Sequence, residues 1–239
     1  MVDSCVILCG GKSSRLRGEN GENKILLPFG KMPLIAYNFA KMQKIFKRVF
    51  IACKDNQRDL IEKSLIDLSE SAQFFTHPLR HPNAREGEDS RETPFAREGE
   101  SMANQSDIFI IESAPIFAPQ IHAPIVGIIS AFLQIKDEKI FFISCDCPFI
   151  APRTIESLCN ESQGYDIIYA QDSRQIHPLI AVWSKNTLPL LQDSLTKGDF
   201  RLQNIIDKVR AKPINFSDSR EFLNINTISD YNRAIQILG

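Results

Sequence analysis

Gly10 and Gly11, the hydroxyls of Ser13 and Ser14, and the cations Lys12, Arg15 and Lys24 follow directly on the short apolar run "CVILC". A polyphosphate needs close backbone approach, free N–H donors and compensating charge. Gly10 and Gly11 allow the approach because no Cβ stands in the way. The loop amides can supply the donors. Lys12, Arg15 and Lys24 are the candidate cations, Arg as a bidentate phosphate partner and Lys as a point charge. A solvent-exposed turn with scattered cations is the plainer reading. Two serines and a place between a first strand and a helix favour phosphate. The stretch from Leu8 and Cys9 through Gly10 and Gly11 to Arg15 therefore reads as a nucleotide cradle. It is not a Walker A loop, because Val6 stands where the leading glycine belongs, and G-x-G-x-x-G is also absent.

A second chemical position follows the strand-like "KIFFIS". Asp146, in "CDCPF", is placed to meet a hard cation such as Mg²⁺ bridging phosphate oxygens. An aspartate shaping the turn it sits in is the competing reading. Glu112 closes the apolar run "DIFII" as either a ligand contact or a strand-end charge. His177, before Pro178, is a candidate general base or a structural side chain. Asn224 and Asn226 offer amide donors and acceptors, or serve as turn-formers.

These residues need a scaffold that gathers them. Short apolar runs alternate with helical periodicity. "CVILC", "RVFIAC", "DIFIIES", "KIFFISCD", "DIIYAQ" and "LIAVWS" read as strands. Ile35, Phe39, Met42 and Phe46 mark a helix that Pro33 can start. "QRDLIEKSLIDL" and "TLPLLQDSLTK" read as further helices, and "APIVGIISAFLQI" is apolar nearly all round, which predicts a buried one. Thr227 and Asp230 form a capping-box pattern before Tyr231, Ala234, Ile235 and Leu238. Trp183 is expected in the core. The alternation predicts an α/β fold, a Rossmann-like three-layer sandwich with a mostly parallel central sheet, spanning 1–239 as one domain. Ligands in such folds bind beyond the carboxyl ends of the strands, where the opening loop and Asp146 both fall.

One segment departs from the alternation. Residues 83–101 carry six carboxylates against three arginines and repeat "AREGE" at Ala84 and Ala96. With almost nothing to bury, they read as a disordered acidic surface insertion, solvated or partner-binding.

Composition narrows the class. The chain is 239 residues long, 43% hydrophobic, with a net charge of -1, so no basic footprint for nucleic acid is present. No apolar run reaches the about 20 residues that span a bilayer, and no signal peptide is evident. The cysteines Cys5, Cys9, Cys53, Cys145, Cys147 and Cys159 form no Cys-x-x-Cys pair, and reduced thiols in a cytoplasmic protein are expected. Cys145 and Cys147 flank Asp146, but two thiols without a nearby histidine make a weak metal set.

At this level of detail the chain resembles the molybdenum cofactor guanylyltransferases, within the sugar-nucleotide-type nucleotidyltransferase superfamily. "LCGGKSSR", then Lys24 and "LLPFGKMPLI", is similar to the superfamily's opening signature. "APIVGIISAF", "FFISCDCPFI", "HPLIAVWSKNTLPLLQDSLTKGDFRLQNII" and "FLNINTISDY" resemble the family's later segments, so the likeness covers nearly everything outside 83–101. Four positions depart from the pattern. Leu16-Arg17 replaces Met-Gly, "GENGEN" lengthens the loop before Lys24, Ala123 replaces a glycine, and Ile228 replaces a proline.

The resemblance implies transfer of GMP from GTP to molybdopterin, with Mg²⁺ as cofactor and pyrophosphate released. It implies roles for Arg15, Lys24 and Asp146 in catalysis, with Asp146 as the metal ligand. It further implies a guanine contact by Glu112 and a pterin-side wall that includes His177, Asn224 and Asn226. Molybdenum-insertion proteins and acceptor molybdoenzymes are implied as transient partners. Molybdopterin cytidylyl transfer, sugar-phosphate nucleotidyl transfer and a nucleotide-binding regulator without turnover are the rival expectations.

Overall fold

The computed structural model describes residues 2–9, 24–70, 108–112 and 123–238. Gly10, Gly11, Lys12, Ser13, Ser14, Arg15 and the insertion 83–101 lie outside the described residues.

The strands are β1 (Ser4–Leu8), β2 (Pro28–Phe29), β3 (Met32–Pro33), β4 (Arg48–Cys53), β5 (Phe109–Ile111), β6 (Lys139–Ser144), β7 (Ile167–Gln171), β8 (Ile176–Ser184) and β9 (Ala211–Asn215). The α-helices are α1 (Leu34–Gln43), α2 (Asp55–Glu70), α3 (Pro124–Gln134), α4 (Pro152–Asn160), α5 (Leu188–Thr196), α6 (Leu202–Ile206) and α7 (Ile228–Leu238). Among the described residues the main sheet has seven strands in the order β5-β4-β1-β6-β8-β7-β9, all parallel except β8. The mostly parallel sheet expected from the alternation is present. Strand β8 is the exception, and it begins at Ile176 rather than at Leu179. It is antiparallel to β6 and β7, so its first residues lie beside the carboxyl end of β6.

The strand order reverses at β1. The chain runs from β1 to β4 and β5 on one side, then crosses to β6 on the other. Leu8 is level with Ala52 on β4 and with Ser144 on β6. Cys9 N–H donates to the Ala52 carbonyl at 2.9 Å and Cys145 N–H to the Leu8 carbonyl at 3.1 Å, extending both ladders to the point where the loops begin. Two loops therefore leave side by side at a switch point, the usual place for a ligand crevice.

Side chains alternate across the sheet, and each face carries helices. Cys5, Ile7, Ile51, Phe141 and Ile143 pack under α1, α2 and α4. Val6, Leu8, Ala52, Phe142 and the fully buried Trp183 pack under α3, α5 and α6. This is the three-layer arrangement. Helix α3 is buried along most of its length, with Leu133 and Gln134 exposed at its end.

A third, smaller cluster sits at the carboxyl end. Leu27, Phe29, Leu34, Phe149, Ile225 and Ala234 close on one another, with Phe29 edge-on to Phe149 at 5.7 Å. Burying each of the larger side chains contributes about 1.5–3 kcal/mol. The β2–β3 hairpin within this cluster turns at Gly30, whose φ of +67° needs a residue without Cβ strain. The expected capping box starts α7: Asp230 N–H donates to Thr227 Oγ1 at 3.1 Å and Thr227 N–H to Asp230 Oδ2 at 2.8 Å.

Candidate active site

That small apolar cluster assembles the polar site beside it. Lys24 lies just before Leu27 and Phe29, Asp146 just before Phe149, and Asn226 just after Ile225. Docking the apolar residues brings the three polar ones to one point. Lys24 Nζ donates to Asp146 Oδ2 at 2.8 Å and to Asn226 Oδ1 at 3.0 Å. The Lys24 and Asp146 side chains keep 13% and 17% of their exposure, so the pair is partly shielded. Partial shielding strengthens their attraction relative to water.

Asp146 occupies a tight turn. Cys147 N–H donates back to the Ser144 carbonyl at 3.2 Å, with Cys145 and Asp146 at the centre. Ile225 N–H donates to the Asp146 carbonyl at 2.9 Å, Asn38 Nδ2 to the Cys145 carbonyl at 2.7 Å, and Lys41 Nζ to the Pro148 carbonyl at 2.8 Å. The turn reading of Asp146 is seen directly, and its carboxylate faces the Lys24 ammonium. Among the described residues its Oδ1 meets only the weak thiol donor Cys147 Sγ at 3.6 Å. Among the described residues no group of three or more His, Cys, Asp or Glu side chains could enclose a metal ion. The donor set suits a hard cation held by one carboxylate and substrate phosphates, the usual Mg²⁺ mode, and not an all-protein cage. The six thiols are unpaired, and burial pushes Cys147 well above the ordinary thiol range.

Leu8 and Cys9 are buried with the core clusters at the end of β1. Glu112 extends β5, its N–H donating to the Cys53 carbonyl at 2.9 Å. Burial pushes its carboxyl pKa up to about 7 against the pull of Lys54. Its carboxylate lies over the first turn of α3. A Cβ at Gly127 would come within 2.7 Å of Leu8 Cδ2 and 3.1 Å of Glu112 Oε1, so glycine lets these two side chains close over the helix without shifting. Glu112 is not in the Lys24–Asp146 cluster. Three strand spacings separate β5 from β6, about 14 Å, comparable to an extended nucleoside triphosphate.

His177 is buried, its ring stacked on Phe222 with centroids 4.4 Å apart. Burial holds its pKa down, with Asp172 opposing. Nε2 is 3.7 Å from Asp172 Oδ1, too far for a hydrogen bond. Asp172 instead closes the β7–β8 turn by accepting from the Arg174 and Gln175 N–H groups, each at 2.8 Å. A neutral, enclosed imidazole fits a wall better than a proton shuttle. Phe222, Ile225 and Asn226 lie on one passing strand of chain, so His177 and Asp146 border the same segment. The Asn224 Oδ1 and His177 Nε2 atoms are buried without a hydrogen-bond partner among the described residues.

Asn38 and Lys41 escaped sequence reasoning, although a signal was present. Asn38 falls within the apolar stripe of Ile35, Phe39 and Met42, where an amide needs a buried partner.

The family model for the MobA-like NTP transferase domain matches residues 5–80 and 97–213. A molybdenum cofactor guanylyltransferase from Helicobacter pylori is 30% identical over 236 residues, covering 98% of this chain and 92% of that protein. One from Campylobacter jejuni is 23% identical, over 96% and 94% of the two chains. Among solved structures, the molybdopterin-guanine dinucleotide biosynthesis protein A of Archaeoglobus fulgidus superposes with a TM-score of 0.63 at 20% identity, covering 98% and 97% of the chains. The inositol-1-phosphate CTP transferase of T. maritima superposes equally well, TM-score 0.63 at 15% identity over 99% and 95%, so the fold alone does not separate guanine from cytosine chemistry.

Proposed function

The chain belongs to the MobA-like NTP transferase family and within it to the molybdenum cofactor guanylyltransferases, and from that premise we propose that it joins GMP from GTP to molybdopterin. The enzyme is a nucleotidyltransferase. The observation that carries the reading is the Lys24–Asp146–Asn226 cluster at the β1/β6 switch point, with Glu112 at the same carboxyl edge of the sheet beyond β5.

The reaction is an in-line displacement. A terminal phosphate oxygen of molybdopterin attacks the α-phosphorus of GTP, a new P–O bond forms, and the bond to the β-phosphate oxygen breaks to release pyrophosphate. Such a step gains most from positioning and from neutralising charge as it develops. Lys24 supplies a point charge to the leaving pyrophosphate, and Gly10, Gly11 and Arg15 cradle the phosphates. Asp146 would hold Mg²⁺, which when bound would neutralise phosphate oxygens. Without ligands Lys24 and Asp146 neutralise each other. A triphosphate with its cation offers each a new partner of opposite charge. Leu8 and Cys9 set the start of the nucleotide loop. His177, Asn224 and Asn226 line the molybdopterin side. The protein acts in the cytoplasm, where molybdenum-insertion proteins and acceptor molybdoenzymes can exchange with it. No described helix is long and apolar enough to cross a membrane.

Isothermal titration with GTP, CTP and ATP, followed by a pyrophosphate-release assay with Mg²⁺ and molybdopterin, tests this reading. GTP should bind at least tenfold more tightly than CTP, about the 1.4 kcal/mol that one recognised base edge readily supplies. Tight CTP binding with negligible GTP binding would overturn the guanine assignment. GTP binding without pyrophosphate release would identify a regulator.

Glu112 makes guanine recognition pH-dependent. The N1–H and exocyclic amine of guanine both donate, so the ionised carboxylate is the binding form. With its pKa raised from 4.5 to about 7, Glu112 is largely ionised at pH 8 and largely protonated at pH 6. The Kd for GTP should therefore rise about tenfold from pH 8 to pH 6. Glu112→Gln should flatten that dependence, and an unchanged profile in the variant would remove Glu112 from the base site.

A further inference from the structure

Two polar side chains on α1 are buried where apolar ones would pack as well. Asn38 is fully buried and Lys41 is 9% exposed, among Leu34, Ile35 and Met42 on the inward face of the helix. A buried amide or ammonium is unfavourable unless its donors are used. Both use them on the Asp146 turn. Asn38 Nδ2 takes the Cys145 carbonyl at 2.7 Å, one residue before Asp146, and Lys41 Nζ takes the Pro148 carbonyl at 2.8 Å, two residues after it. Of the two carbonyls between them, that of Asp146 itself receives Ile225 N–H at 2.9 Å.

We propose that Asn38 and Lys41 are positioning residues for nucleotidyl transfer, clamping the backbone on both sides of Asp146 so that its carboxylate points at Lys24 and the phosphate site. The proposal rests on the assignment of Asp146 to the reaction. The turn cannot hold itself. Its one internal hydrogen bond, Cys147 N–H to the Ser144 carbonyl, is 3.2 Å long, and Pro148 has no N–H to give. The carbonyls of Cys145 and Pro148 face away from the sheet ladder, and α1 is the element that reaches them. With the peptide planes on either side fixed, only two side-chain torsions remain to Asp146.

Glu221 backs the clamp. It is 3% exposed and accepts from Thr154 Oγ1 at 2.6 Å and Ala151 N–H at 3.1 Å at the start of α4. Its charge also acts on Lys41. The turn is thus tied through α1 to the helix that follows it. The same α1 follows the Lys24 segment through the β2–β3 hairpin, so one helix references both halves of the ion pair.

Asn38→Leu and Lys41→Met remove the donors while keeping side-chain bulk and apolar packing. Three quantities decide the matter: hydrogen exchange of the Cys147 and Ile225 amides, kcat and KM for GTP in the transfer assay with Mg²⁺, and the same kinetics in an Asp146→Asn background. The two amides should exchange about tenfold faster or more in each variant. The kcat should fall about 10–100-fold with KM for GTP changed less than about threefold, since a loosened catalytic group costs rate more than binding. In the Asp146→Asn background either substitution should lower kcat by no more than about twofold, because the group being positioned is gone.

A folded variant with unchanged kcat, or losses that add fully to that of Asp146→Asn, would overturn the proposal. If Asp146→Asn itself retains kcat, the functional assignment of Asp146 fails, while amide exchange still reports the clamp. Should Lys41→Met not fold, Asn38→Leu decides alone, since it offers no donor in any protonation state, and wild-type kcat in that variant would dismiss the clamp.

Discussion

Lys24→Ala is expected to lower the kcat of GMP transfer by about 10²–10³-fold, the loss typical when one preorganised charge stabiliser is removed from a transition state. Lys24 is the described cation nearest Asp146, and it already sits 2.8 Å from that carboxylate and 3.0 Å from Asn226. Negative charge grows on the β-phosphate side as pyrophosphate departs, so the lysine interacts more strongly in the transition state than with bound GTP. The signature is a fall in kcat larger than the rise in KM. Fold should survive, because Lys24 lies at the edge of the small apolar cluster while Ile25, Leu27 and Phe29 carry its packing. Lys24→Met, which preserves the aliphatic stem, separates lost charge from lost packing. Pyrophosphate release under saturating GTP, with thermal unfolding alongside, measures both. Near-normal transfer by a folded Lys24→Ala protein would end the assignment.

Asp146→Asn is the second large effect. Asparagine has nearly the shape of aspartate and suits the same turn, so the substitution tests charge and not architecture. The expected result is a kcat loss of about 10²–10⁴-fold, since metal positioning and charge neutralisation both depend on the carboxylate. The Mg²⁺ concentration for half-maximal activity should rise about tenfold or more, reflecting a lost anionic ligand. Stability should change little. The pair it breaks is only partly shielded, and Asn226 still accepts from Lys24. The turn keeps its backbone hydrogen bonds from Asn38, Lys41 and Ile225. A variant with unchanged turnover and unchanged Mg²⁺ requirement would leave Asp146 as a turn residue alone. The pair of experiments is informative together. If Lys24 and Asp146 act on opposite sides of one reaction, the double variant should lose less than the product of the single losses.

The ion pair has a further consequence for the ligand-free enzyme. Lys24 and Asp146 each hold the charge that the other's ligand will carry, which keeps both side chains oriented before substrate arrives. Preorganisation of this kind limits the reorganisation needed during the reaction.

Much of this protein could be read from its residues in order. Alternating apolar runs and helical periodicity were enough for the α/β class. Thr227 and Asp230 announced the start of α7, and Trp183 was recognisable as core. Asp146 stood out because a carboxylate directly after an apolar strand points at the functional edge of such a sheet. These are local signals, set by period, capping and turn chemistry within a few residues. The short β9, the helix α4 and the hairpin before α1 were less legible because their apolar content is small or interrupted by proline.

What the tertiary structure alone decided is who meets whom. Lys24, Asp146 and Asn226 are separated by 122 and 202 positions along the chain, yet they share hydrogen bonds. Strand order brings the loops after β1 and β6 together, and an apolar cluster of Phe29, Phe149 and Ile225 draws in the third member. The reversed β8 carries His177 to the same edge. Asn38 and Lys41 show the difference most sharply. In sequence they are polar residues along a buried helical face, and only the folded chain reveals the two carbonyls beside Asp146 that require them. Local pattern determines which elements form, because backbone geometry repeats over a few residues. Long-range packing determines the site, because a buried carbonyl or carboxylate needs a partner wherever in the chain that partner lies.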